Sequence, residues 1–203
     1  MRAPHYRVRP RARQGTMSRM ADFDAVVRAI DRANADDPRA PRETEYSRRM
    51  AGWAVRLRPD ASPELLLAVR AQHVRRWSIP RESFPEGRVG YLNWRERLKK
   101  LHADVLGEAM AQAGYADASV QKARSLILRK NHAADPEGQT LEDAACLVFL
   151  ETEFVEFAGK TPDDKVVEIL KKTWEKMSAP AREAALKLSL GDREKALVGR
   201  ALS

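Results

Sequence analysis

The sequence predicts an all-α protein built as one compact helical domain. Two observations carry that prediction. Apolar residues recur every three to four positions along most of the chain, the period of a helix with one buried face. Nowhere does a run of alternating β-branched and polar residues stand between hairpin turns, as strands would require.

Phe23, Val26, Val27 and Ile30 mark a first helix, closed by the turn-rich stretch Ala-Asn-Ala-Asp-Asp-Pro-Arg-Ala-Pro. Tyr46, Met50, Trp53 and Leu57 mark a second, stopped at Arg58-Pro59. Ser62 before Pro63 and Glu64 reads as an N-cap followed by proline at the first helical position. That third helix is expected to run through Leu66, Val69, His73 and Trp77 to a boundary at Pro80. Residues 78–90 hold two prolines and two glycines and read as a long loop, a length often tied to function. A long helix follows, carrying Tyr91, Trp94, Leu98, Leu101, Val105 and Leu106, and ends at Gly114. Val120, Leu126, Ile127 and Leu128 mark a shorter one, and residues 129–139 form a loop. Thr140 is expected to open the most apolar helix, reaching about Ala158. Val166, Val167, Leu170 and Trp174 give a later helix, and the C-terminal stretch gives one or two short ones with a break near Gly191.

Of 203 residues, 43% are hydrophobic and 33% charged, as in a globular protein. No apolar run approaches the roughly 18 residues that span a bilayer, so no membrane partner is expected. The net charge is +8, but six arginines and no acid lie in residues 1–20, which leaves +2 for the remainder. Residues 1–20 are therefore expected to be a disordered basic tail produced by an over-long gene start, and residues 21–203 a single helical domain. Such an arm can also bind phosphate backbones, and an arginine-rich, acid-free start is part of an organelle transit signature. The single cysteine, Cys146, excludes an intramolecular disulfide and sits in an apolar run; a buried inert thiol and a reducing cytoplasm are expected.

Three polar residues in apolar helical segments stand out: His73, His102 and Asp143. Histidine and aspartate are costly to bury unless paired or ligating, so a shared polar site is expected. A core histidine bonded to a carbonyl or acid explains either histidine alone. Thr140 to Asp143 also fits a capping box, with Glu142 as a substitute ligand. Arginines crowd the same segments, and their planar forks match phosphate oxygens; Arg76, Arg81 and Lys130 are the expected phosphate contacts. Solvated helix faces explain other such runs. Lys176-Met177-Ser178 matches a signature of class I aminoacyl-tRNA synthetases. The chain has neither a His-x-Gly-His element nor the strand–helix alternation of that nucleotide fold, so a synthetase is excluded. Glycine-rich phosphate loops are absent too, which excludes P-loop enzymes and kinases.

Five segments in order, ETEYSRRMAGW, RAQHVRRWSIPRESFP, GYLNWRERLKKLHAD, QTLEDAACLVFLE and KTWEKMS, resemble the domain-of-unknown-function family 4202 over roughly residues 22–202. More distantly, the chain resembles the HD-type metal-dependent phosphohydrolases. That resemblance implies a loosely HD-like fold in which His73, His102 and Asp143, with Glu142 in reserve, hold one divalent metal. Asp143 and His73 would be the catalytic pair. Val74 stands where the family has the acid of its paired motif, and Tyr46 where it has an early histidine, with Glu45 the nearby acid. The expected function is hydrolase-like action on, or binding of, a small phosphorylated compound such as a nucleotide. The alternative is a helical binding module for RNA or a protein partner.

Overall fold

Helix-period apolar stripes become ten α-helices in a computed structural model that describes residues 21–37, 40–129 and 135–203, with no strand among those residues. The tail of residues 1–20, Lys130 and His132 lie outside the described residues. The helices are α1 (Phe23–Asn34), α2 (Ala40–Leu57), α3 (Pro63–Arg70), α4 (Gly87–Gln112), α5 (Asp117–Leu128), α6 (Pro136–Val148), α7 (Phe154–Gly159), α8 (Asp163–Lys176), α9 (Ala179–Leu186) and α10 (Asp192–Leu202).

The most apolar segment takes the centre. α6 packs against α2, α3, α5, α8 and α9, and Leu141, Ala144, Leu147 and Val148 on it are fully or almost fully buried. Leu65 and Leu67 of α3, Leu106 and Met110 of α4, and Phe154 of α7 complete the same core. Each such side chain contributes about 1.5–3 kcal/mol by leaving water. Among the described residues no helix is long and apolar enough to cross a membrane.

α6 starts earlier than its sequence suggests. Asp135 is the N-cap, accepting a hydrogen bond from the Glu137 amide, and Pro136 follows at the first position. Thr140 is thus a second-turn residue, and its hydroxyl donates to the Pro136 carbonyl at 2.9 Å. Beyond Val148 the chain widens into one π turn, Phe149–Glu153, where the Phe154 amide reaches back to the Phe149 carbonyl.

α3 also differs from expectation. Ser62 caps it as predicted, with Pro63 at its first position. It ends at Arg70, so Leu66, Val69, His73 and Trp77 do not share one helical face. His73 lies in the turn that follows. Two side chains hold that turn against its neighbours: the Ser47 hydroxyl donates to the Arg70 carbonyl at 2.7 Å, and the Arg75 amide donates to Asn34 Oδ1 at 2.9 Å. Arg75 takes a left-handed conformation, φ 53°, which reverses the chain and sends Arg76 back towards His73.

The expected loop contains 3-10 turns at Arg76–Ser78 and Arg81–Ser83. It is pinned from both sides, since the Trp94 indole donates to the Ile79 carbonyl at 2.9 Å. Gly90 permits close approach at its far end: a Cβ there would lie 1.8 Å from the Pro85 carbonyl oxygen.

A candidate anion-binding cavity with a histidine–glutamate pair

Three segments bring polar side chains to one cavity of about 560 Å³: α2 with Glu43 and Tyr46, the turn after α3 with His73 and Arg76, and α4 with Arg95 and His102. The turn reaches the cavity because α3 stops early; a continued helix would carry His73 elsewhere.

His73 is held on both nitrogens and one face. Its Nδ1 lies 2.7 Å from Glu43 Oε2, and its Nε2 lies 3.2 Å from a guanidinium nitrogen of Arg76. A carboxylate only accepts and a guanidinium only donates. The imidazole between them is therefore neutral, with its proton on Nδ1 and its lone pair on Nε2. Burial drives the ring below the ordinary histidine pKa, and Arg76 and Arg95 add to that, against the pull of Glu43. Tyr46 covers one face in a near-parallel stack. Glu43, only 5% exposed, stays beneath as the orienting acid.

His102 approaches from α4, its ring centroid 6.5 Å from that of His73. It is buried, and its Nε2 has no hydrogen-bond partner. Burial, then His73, Arg76 and Arg95, push its pKa well below the ordinary value, so it too is neutral near pH 7.

The walls are mainly cationic. Arg42, Arg76, Arg95, Lys99, Arg129 and Lys176 line the cavity against Glu43, Glu142 and Glu153. Part of this charge is matched: Arg129 pairs with Glu142, Lys176 lies 3.9 Å from Glu142, and Arg42 lies 3.9 Å from Glu153. Arg76 instead rests over the Trp94 ring at 4.7 Å, and Arg95 donates to the Tyr91 hydroxyl at 3.1 Å. Arg129, like Arg75, has positive φ, at 55°. Left-handed non-glycine residues cost energy and cluster at functional sites; here Arg129 lines the cavity, and Arg75 directly precedes Arg76, which does. Cys146 is on the wall too, but burial, then Glu142, pushes its thiol up to about 12, so it is no nucleophile at neutral pH.

The profile of the family described as "Domain of unknown function (DUF4202)" matches residues 24–198. The chain belongs to that family. No curated protein and no solved structure matches it.

In this DUF4202 domain the expected site residues separate into two groups. His73, His102, Arg76 and Glu142 meet at the cavity. Asp143 does not line it. Its carboxylate accepts from the Ser178 amide at 2.8 Å, the Ser178 hydroxyl at 2.6 Å and the Gln139 side chain at 2.9 Å. Asp143 thereby anchors the start of α9, whose N-cap is Ser178. This also gives the Lys176-Met177-Ser178 tripeptide a structural role, as the break between α8 and α9. Arg81 is likewise engaged elsewhere. It donates to the carbonyls of Phe84, Pro85 and Gly87 at 3.0, 3.0 and 3.5 Å, so it braces the loop. Glu45 pairs with Arg49 at 2.8 Å on the surface; the acid that matters on α2 is Glu43, one turn before Tyr46.

Most of the ligands expected for a divalent metal from the HD resemblance are engaged with other groups in this structure. Neither His73 nitrogen is open to a cation, with Glu43 on Nδ1 and a guanidinium on Nε2. Asp143 is spent on Ser178, and Val74 is wholly buried in the core. Glu142 is bound by Arg129. Among the described residues, no three His, Cys, Asp or Glu side chains gather as a metal site would require.

Proposed function

We propose that the cavity binds a small phosphorylated compound of about nucleotide size and that the Glu43–His73 pair supplies acid–base chemistry on it. The observation that carries this reading is the lining of six cationic side chains against three acidic ones. Its volume falls within the range of about 300–1,000 Å³ typical of small-molecule sites. Arg76 and Arg95 present guanidinium groups, which bind phosphate oxygens through paired N–H donors.

The chemistry follows from the His73 tautomer. A water at Nε2 gives up a proton as its oxygen bonds to phosphorus. The ester P–O bond breaks, and the imidazolium returns the proton to the departing oxygen. Glu43 stabilises the transient imidazolium through Nδ1–H, as the acid does in other oriented-histidine systems. Arg76 and Arg95 offset the charge that builds on the phosphoryl oxygens. No step requires a metal.

Calorimetric titration of phosphate, pyrophosphate and a nucleotide panel, at two salt concentrations, tests the reading. Arg76→Lys keeps the charge but loses the fork, so at least one of these anions should bind about tenfold more weakly, the equivalent of one charge-assisted hydrogen bond. A silent swap, with binding that falls steeply with salt and favours RNA, would replace the small-molecule cavity with a nucleic-acid surface.

A further inference from the structure

The resting geometry of His73 is not that of a free base. The one lone pair available for proton transfer, on Nε2, already accepts a hydrogen bond from Arg76 at 3.2 Å. The other nitrogen is committed to Glu43. Of the two groups on the His73 nitrogens, Arg76 is the one an anion would draw away. It is held by the Trp94 ring face and by His73, and no carboxylate lies within ion-pair distance of it among the described residues. A neutral imidazole is a weaker acceptor for a guanidinium than a phosphate oxygen, because the phosphate adds a full negative charge and can accept two N–H donors at once.

We propose that Arg76 masks the His73 base in the unliganded protein and that an anionic ligand unmasks it by drawing the guanidinium onto its own oxygens. Arg76 is then a positioning residue as well as an anion contact. His73 becomes available as a base only when a phosphoryl group is in place, and in the empty cavity its Nε2 stays occupied. This rests on the anion-site reading above.

The charged and titratable groups around His73 decide how release would show itself. Glu43 and Tyr46 face it from α2, Arg95 and His102 from α4, and Arg76 from its own turn. Glu43 favours the imidazolium; burial, Arg76 and Arg95 disfavour it. Withdrawal of Arg76 therefore moves the His73 pKa up towards the ordinary value of about 6.5, and a bound phosphate adds its own upward push. The two contributions separate by mutation.

The experiment follows the His73 ring by nitrogen-15 NMR against pH, with pyrophosphate as the probe and calorimetry as the measure of binding. In Arg76→Met without ligand, the His73 pKa should rise and its Nε2 should react faster with diethyl pyrocarbonate than in the wild type. Pyrophosphate should raise the His73 pKa in the wild type, and by less in Arg76→Met, where the mask is already gone. Arg76→Gln serves if the methionine variant does not fold. Should pyrophosphate bind while wild type and variant give the same His73 pKa and the same ligand-induced rise, the mask is refuted and the anion site survives. If neither phosphate, pyrophosphate nor any nucleotide binds the wild type, both readings fall together.

Discussion

Tyr46 lies flat against His73, with ring centroids 3.7 Å apart and planes 5° from parallel. The contact does two things at once. It fixes the plane of the imidazole, so that Nδ1 stays aimed at Glu43, and it shields the phenol from water. Burial, then the charge of Glu153, hold the phenol protonated far above the ordinary tyrosine range, against Arg76, Arg95 and Arg129.

The sign of the alkaline consequence is fixed. A phenol whose pKa is raised on folding binds its proton more tightly in the native state, so stability falls as pH rises past the unfolded value of about 10. Tyr46 should release no phenolate absorbance until the protein unfolds. Tyr46→Phe should keep the stack and resist alkali better than the wild type, as read from denaturation midpoints above neutral pH. A Tyr46 phenolate titrating normally in the folded protein contradicts the geometry.

On the acid side the histidines act. His102 and His73 have lowered pKa values in the native state, so the unfolded chain takes up their protons first. Stability is retained above the unfolded histidine value of about 6.5 and declines as pH falls below it. His102→Leu removes the larger depression and should flatten the decline between neutral and mildly acid pH. Urea denaturation across that range measures it; an unchanged slope would show that His102 is solvated rather than buried with Nε2 unpartnered.

Asp143→Ala separates structural from ligand roles. The substitution deletes three hydrogen bonds to a buried carboxylate, two of them from Ser178. A cost of about 2–4 kcal/mol is expected from lost charged-acceptor bonds and a weakened helix start. Anion binding at the cavity should remain, since Asp143 is not on its wall. Loss of binding with unaltered stability would restore Asp143 as a site residue.

Helical period, the Ser62 cap and the apolar centre at α6 were legible in the residues, because each is a local signal. The His73–His102 meeting was legible only in part. His102 falls inward on α4 as its spacing requires, but His73 arrives through a turn that Leu66 and Val69 gave no reason to expect. The helix already stops at Arg70, and the turn after it closes on a left-handed Arg75, which the sequence does not mark with a glycine. Glu43 was missed although its signal was present: one turn before Tyr46, it continues the inward stripe of Tyr46, Met50 and Trp53. An acid on an apolar stripe near a helix start passes easily for a first-turn residue favoured by the helix dipole. The backbone contacts of Asp143 and Arg81 were not legible, since a buried acid and a loop arginine serve backbone groups as well as they would serve a ligand.

The π turn at Phe149–Glu153 makes chain length itself part of the site. Each α-helical residue advances about 100° around the axis, so the additional residue in that turn sets the phase of everything after Val148 against α6. Phe149, Glu153 and Phe157, four apart, all reach the cavity wall in that phase. If the same residues wound as a regular α-helix instead, everything after the turn would be rotated by about a quarter turn, and Phe157 would leave the wall. At this place the winding, more than the composition, decides which side chains the cavity receives.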